Sequence, residues 1–400
     1  MSTLRRLTIL LVAGLALPVV ADALPLAVGH RSTTYVDPSR GNRQILTELY
    51  YPADAAGDNV PVAAGTYPVI TFGHGFLMVW SAYQYLWLDL APRGYILALP
   101  RTEGSIFPSH EQFGRDLAFL VDKLRTEGAT PDSPFYNHIA ATSSVMGHSM
   151  GGGASVLAAS YNPGITALAN LAAAETSPSA IAAAAGVTMP ALLLAGSKDC
   201  VTPPSQHQLP IYNALASTCK ALVTITGATH CQFADYNFNC ELGESCTADI
   251  TREQQHALVE AYLEPWLDWT LKGDTAAFQT YEDLLRNGPG ITYVQDCDVA
   301  SDVVGDVPTI HLDVDAYPNP FKGATRVRFD LPEGAGVRIE IFDVSGRRIR
   351  TLLDGWVAKG SHEVNWNGRG EGGVDLPRGV YFCRIRSDRG LTSRALLLLR

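Results

Sequence analysis

Val145-Met146-Gly147-His148-Ser149-Met150-Gly151-Gly152-Gly153 decides how the rest of this 400-residue chain reads. It holds G-x-S-x-G with Ser149 at the centre. A β-like run over 142–146 precedes it, and a small-residue helical run over 154–160 follows. Strand, sharp turn and helix form the context in which this pattern exposes a serine hydroxyl on a strained elbow. A turn that tight needs small neighbours, and Gly147 and Gly151 to Gly153 supply them. The following helix points its free N-terminal amides at the same spot, where negative charge on an attacked carbonyl would be held.

Working outward, brief apolar runs bounded by turn residues recur at 67–72, 94–100, 165–171, 190–196 and 221–226. Such runs are the mark of buried parallel strands. Residues 28–51 suggest an opening pair of strands, and Trp80, Tyr83, Tyr85 and Trp87 fall in an expected helix. Phe113, Leu117, Leu120, Val121 and Leu124 keep helical spacing, as do Leu258, Tyr262, Trp266 and Trp269 in an expected long helix over 252–271. Strands alternating with helices imply a mostly parallel sheet covered on both faces.

A serine hydroxyl is a poor nucleophile at neutral pH and needs a base, itself held by a carboxylate. In a parallel sheet these groups lie in loops at the carboxyl ends of strands. Gly196-Ser197-Lys198-Asp199-Cys200 follows one strand, and Gly227-Ala228-Thr229-His230-Cys231 follows the next. The expected triad is therefore Ser149, Asp199 and His230. Glu175 competes with Asp199 from the end of the preceding strand. His74 is expected to hold its loop, His148 to pack beside the serine, and His207 to lie on the surface. No cofactor or metal is required by this set, and without any C-x-x-C pair a zinc site is set aside.

Charge is uneven. Residues 1–316 carry a net −16 and residues 317–400 a net +6. Two modules are the natural reading, and the acidic body argues against nucleic acid as a partner. Arg5 and Arg6, the apolar run 9–20 and Ala21-Asp22-Ala23 read as an export signal over 1–23, with a mature start near Leu24. No stable membrane span is expected. Export permits disulfides. Of the seven cysteines, Cys383 is the expected free thiol. Cys200 with Cys219 is the favoured pair, leaving Cys231, Cys240, Cys246 and Cys297 to make two more.

The elbow Gly147 to Gly153, the acid-bearing stretch Met189-Pro190-Ala191 through Gly196, Asp199 and Pro203, and the turn Ala228-Thr229-His230 together resemble the α/β-hydrolase superfamily, specifically its cutinase-like polyester hydrolases and neighbouring lipases. The resemblance covers about residues 28–275. It implies the α/β-hydrolase fold, the chain order Ser149, Asp199, His230, and an oxyanion hole made by the backbone amides of Met150 and of Phe76 in Gly73-His74-Gly75-Phe76. It also implies a secreted serine ester hydrolase whose ester substrate is polymeric or lipid. One departure stands out: the polyester-degrading members carry an aromatic where this chain has Ala174-Glu175-Thr176-Ser177-Pro178. The stretch from there to Met189 is too short for a lid domain. A lipase or acetylhydrolase on lipid esters, and a non-catalytic binding protein on a hydrolase scaffold, remain open readings.

Beyond an expected linker over 301–314, period-two alternation at 325–329, 337–342, 363–366, 380–385 and 395–399 implies a small β-sandwich over 315–400. Tyr317-Pro318-Asn319-Pro320-Phe321, the stretch from Phe342 to Arg348, Trp366-Asn367-Gly368 and Gly379-Val380-Tyr381-Phe382 resemble the C-terminal sorting domain of type IX secretion substrates, itself similar to the immunoglobulin-like part of flagellar hook-capping proteins. That resemblance implies the type IX machinery as a partner and a secreted or outer-surface location.

Overall fold

The computed structural model describes residues 26–297, 314–331, 333–343, 348–387 and 390–399. The expected export signal and residues 301–313 of the expected linker lie outside them. Val314, the last residue assigned to that linker, already opens a strand.

Among the described residues, ten strands make one sheet. They are β1 (Ala27–Asp37), β2 (Arg43–Ala53), β3 (Gly57–Asp58), β4 (Tyr67–Gly73), β5 (Ile96–Pro100), β6 (Ile139–His148), β7 (Ala167–Leu171), β8 (Ala191–Gly196), β9 (Cys219–Ile225) and β10 (Ile291–Cys297). Their order is β10-β9-β8-β7-β6-β4-β5-β2-β1-β3. The run from β9 to β5 is parallel throughout. β1 and β2 form an antiparallel hairpin at one side, and β10 pairs antiparallel with β9 at the other. The helices are α1 (Gln84–Leu90), α2 (His110–Ala129), α3 (Met150–Tyr161), α4 (Ala180–Ala184), α5 (Gln208–Ala214), α6 (Phe238–Gly243), α7 (Arg252–Lys272) and α8 (Thr275–Asn287).

Alternation along the strands splits the interior in two. Val145, Leu168, Leu193 and Leu222 face α2 to α5. Met146, Ala169, Leu192 and Val223 face the other way, toward α1, α7 and α8. Helix α7 begins at a capping box, with Thr251 and Gln254 satisfying each other's backbone amides, and stops at Gly273 in the left-handed region. Helix α8 and strand β10 lack the apolar runs that betray the inner strands; the burial pattern of β10 is only intermediate to exposed, as befits an edge strand.

Further along, two small antiparallel sheets follow. One is β11 (Val314–Tyr317), β12 (Thr325–Leu331) and β15 (Gly360–Trp366); the other is β14 (Arg348–Val357), β13 (Ala335–Asp343), β16 (Gly379–Ser387) and β17 (Gly390–Leu398). They enclose Phe321, Val327, Phe329, Ile339, Ile341 and Trp366 as an immunoglobulin-like sandwich.

The disulfides are Cys200–Cys246, Cys219–Cys297 and Cys231–Cys240, with Cys383 free and buried. The expected Cys200–Cys219 pair is thus corrected. Cys200 lies past the carboxyl end of β8, whereas Cys219 opens the parallel neighbour β9. A strand of this length holds the two about 20 Å apart. The antiparallel register of β9 and β10 instead sets Cys219 opposite Cys297. Among the described residues no helix is long and apolar enough to cross a membrane.

Candidate active site

Strand β6 ends at His148 and α3 starts at Met150, so Ser149 alone makes the turn. Its φ of 56° and ψ of −121° are strained for a residue with a side chain. Backbone hydrogen bonds hold it there: its N–H donates to the Leu171 carbonyl at 3.0 Å, and its carbonyl accepts from Gly153 at 3.1 Å and Ala174 at 2.9 Å. The chain packs so tightly that a Cβ on Gly151 would collide with the Gly73 carbonyl, and one on Gly147 with the Gly151 backbone. Those glycines bring the elbow against the loop carrying Phe76. Met150 heads α3, where the first amides have no partner inside the helix.

Asp199 and His230 meet. The His230 Nδ1 lies 2.8 Å from the Asp199 Oδ2, and both side chains are buried. Asp199 also accepts from the backbone N–H groups of Val201 (2.9 Å) and Thr202 (2.7 Å) and from the Thr202 hydroxyl (2.8 Å). Gln208 donates to that hydroxyl at 3.2 Å and to the Ala173 carbonyl at 2.7 Å. With a carboxylate accepting at Nδ1, the ring carries its proton there, and Nε2 is the free base. Glu175 does not compete: its carboxylate accepts from the Ile181 N–H at 2.9 Å.

The other histidines have separate tasks. Both ring nitrogens of buried His74 lie 2.9 Å from carbonyl oxygens, those of Gly75 and Thr102, which holds the loop as expected. His148 is wholly buried against the His230 ring, with centroids 4.6 Å apart. Burial, and then the neighbouring His230, push its proton affinity well below that of a free histidine. Neutral, it donates from Nε2 to the His230 carbonyl at 3.2 Å and accepts at Nδ1 from the Tyr83 hydroxyl at 3.0 Å. Tyr83 in turn accepts from the Gly75 N–H at 2.8 Å. His207 departs from the surface position expected for it: half-buried, it accepts the Glu175 N–H at Nδ1, 2.9 Å away. Its local sequence is polar, but the loop after β7 folds over it.

A segment that sequence reasoning had not singled out closes one side. Residues 231–246 form a strap bridged at Cys231–Cys240 and, through Cys246, to Cys200 beside Asp199. Arg252 at the start of α7 holds it by donating to the Cys231 and Ala234 carbonyls and to Glu241. Glu244 accepts from the backbone N–H of His230 at 2.6 Å and of Cys231 at 3.2 Å. Asn239 donates to the Leu77 carbonyl at 2.9 Å, tying the strap to the loop of Phe76. Large apolar side chains stand exposed at this end of the sheet: Phe76, Phe107 and Tyr236 on loops, and Phe238 and Leu242 on α6. Three cysteines within sixteen residues were the only local signal of this structure.

Comparison with known proteins gives two family matches: a PET hydrolase-like family over residues 29–252, and the FlgD Ig-like domain over residues 315–390. Cutinase est1 of Thermobifida alba is 28% identical over 206 residues, covering 51% of this chain and 63% of that protein. The bis(hydroxyethyl) terephthalate hydrolase of Streptomyces coelicolor is 28% identical over 183 residues, 46% of this chain and 54% of the relative. A cutinase of Thermobifida fusca is 26% identical over 183 residues, 46% of this chain and 56% of the relative. The chain thus spans less than two thirds of the length of these curated relatives.

Proposed function

The chain belongs to the PET hydrolase-like family through residues 29–252, and from that premise we propose that it is a serine ester hydrolase acting on aliphatic polyester. The observation that carries the reading is the buried Asp199–His230 pair, 2.8 Å apart, at the same end of the sheet as the strained Ser149. In the proposed mechanism, Ser149 Oγ attacks the ester carbonyl while His230 Nε2 takes its proton. Asp199 stabilises the imidazolium. The amides of Phe76 and Met150 hold the oxyanion. The tetrahedral intermediate collapses, and His230 protonates the departing alcohol. Water, deprotonated by His230, then attacks the acyl-enzyme and frees the acid and Ser149.

Two features support polymer over small ester. The loop between β7 and β8 carries only the five-residue α4 and no lid. Exposed Phe76, Phe107, Phe238 and Leu242 offer apolar footing for a polymer surface. Aliphatic chains are favoured because the 174–178 stretch has no ring to stack on an aromatic acid. Hydrolysis of p-nitrophenyl butyrate and of polycaprolactone film by the wild type, with Ser149→Ala inert and equally folded, is the expected result. A folded wild type without turnover defeats the reading. We further read residues 1–23 as an export signal and 315–400 as a sorting module for type IX secretion, the FlgD Ig-like match being the support for the second.

A further inference from the structure

Glu244 binds neither Ser149 nor Asp199, yet it sits on the backbone of His230. Its Oε1 accepts from the His230 N–H at 2.6 Å and the Cys231 N–H at 3.2 Å. The carboxylate is thus fixed at the start of the short helical turn Cys231–Phe233, which His230 caps. Two disulfides fix the strap around it. Cys231–Cys240 closes the strap on its own base, and Cys246, two residues beyond Glu244, is bonded to Cys200 next to Asp199. The strap therefore delivers one half-buried carboxylate to the histidine and is covalently joined to both loops of the Asp199–His230 pair.

Resting on the ester-hydrolase reading, we infer that Glu244 is a positioning residue: a second carboxylate that sets the seat of His230 and, by its charge, favours the imidazolium formed during acyl transfer. Asp199 acts on the ring through Nδ1; Glu244 acts from the main-chain side of the same residue. A fixed negative charge near a developing positive one costs no reorganisation when the proton moves. Burial raises Glu244's own proton affinity, while the two amides and the charge of His230 pull it back.

Among the described residues, other charged or titratable groups also surround His230. Arg252 donates to the carbonyl of the adjacent Cys231 at 2.7 Å and is paired with Glu241. Asp199 holds Nδ1. His148 lies against the ring and is kept neutral by burial. His207, which senses both Asp199 and His230, has its proton affinity lowered by burial. Glu175, beside His207, spends its carboxylate on Ile181. Lys198 pairs at the surface with Asp249 at 3.2 Å.

The test uses the full chain with Glu244→Gln, which keeps an acceptor oxygen and removes the charge, and Glu244→Asp, which draws the charge back by one methylene. The His230 ring is titrated by histidine-labelled NMR, assigned with His230→Asn, and kcat and KM for p-nitrophenyl butyrate are followed against pH. The His230 midpoint is expected to fall by about 0.5–1 pH unit in E244Q and by less in E244D. The acid limb of kcat/KM should move with it. In E244Q, kcat should drop about three- to tenfold with KM nearly unchanged. An unmoved His230 midpoint in folded E244Q overturns the inference. Should E244Q not fold, E244D with wild-type midpoint and kcat overturns it equally. The NMR titration needs no turnover, so an inactive wild type sinks the ester-hydrolase reading alone.

Discussion

Ser149 holds a backbone conformation that its own residue type disfavours, and the neighbouring atoms show why it persists. Three main-chain hydrogen bonds and two glycine contacts leave the turn no alternative. Support of the same kind reaches the histidine through Tyr83, whose hydroxyl accepts from Gly75 and donates to His148, which donates onward to the His230 carbonyl. Tyr83→Phe leaves a buried N–H and a buried ring nitrogen without partners, at about 1–3 kcal/mol. The expected outcome is a kcat/KM about tenfold lower with a modest loss in melting temperature; unchanged kinetics would show that the chain of bonds plays no part in turnover. The sharp turn at Ser149 and the meeting of Asp199 with His230 were legible in the sequence because each of these residues follows a short apolar strand with turn residues around it. Tyr83, Thr202, Gln208 and Glu244 were not. Tyr83, Gln208 and Glu244 reach the site through the fold, while Thr202 bonds Asp199 within one loop, three residues on; nothing in the local sequence distinguishes a buried relay tyrosine or a bonded threonine from an ordinary one.

At the scale of elements, the inner parallel strands were the easiest to read, since burial on both faces leaves an uninterrupted apolar run. Strand β10 was not anticipated because an edge strand is half polar, and helix α8 because only Gly273 and Asp274 separate it from α7, so no loop of its own marks it off. The strap escaped for another reason: a covalent pairing pattern depends on topology, and spacing alone cannot supply it. Its bond from Cys246 to Cys200 spans 46 residues, a loop whose closure is worth about 4 kcal/mol by chain entropy. The double substitution Cys200→Ser/Cys246→Ser is expected to lower the melting temperature by roughly 10 °C, measured by calorimetry without reductant. A melting temperature that does not move would mean that the bridge leaves the unfolded chain as free as before.

Across the whole molecule, the outer face of β16 and β17 packs with Val380, Phe382, Ala395 and Leu397 onto the same core as α7 and α8. Beside this contact lies a cavity of about 370 Å³ lined by Asp89, Glu260 and Glu264 with Arg93 and Arg378. Burial first, and then Asp89, raise Glu260 from 4.5 to about 8. Between those values the folded chain keeps a proton that the unfolded chain releases, so this contribution is complete below about 4.5 and is lost as pH climbs through 8. Melting temperature is therefore expected to fall from pH 5 to pH 9, and Glu260→Gln should flatten that slope. Parallel wild-type and variant curves would assign the slope to other groups. The two-module layout itself was legible from the charge reversal near residue 316 and from the switch from long helices to period-two alternation.

The Cys219–Cys297 bridge gives this layout a mechanical character. Beyond the packing of β16 and β17 on the α7–α8 core, the chain leaves the ten-stranded sheet at Cys297, the last residue of edge strand β10. Once that packing yields, tension applied at Cys297 would begin to peel β10 from β9 one hydrogen-bonded pair at a time, and the first pair loaded would be Cys297 with Cys219. That pair is covalent. Load entering at the end of β10 passes by a chemical bond into β9 and the parallel interior of the sheet, and β10 cannot be unzipped from that end.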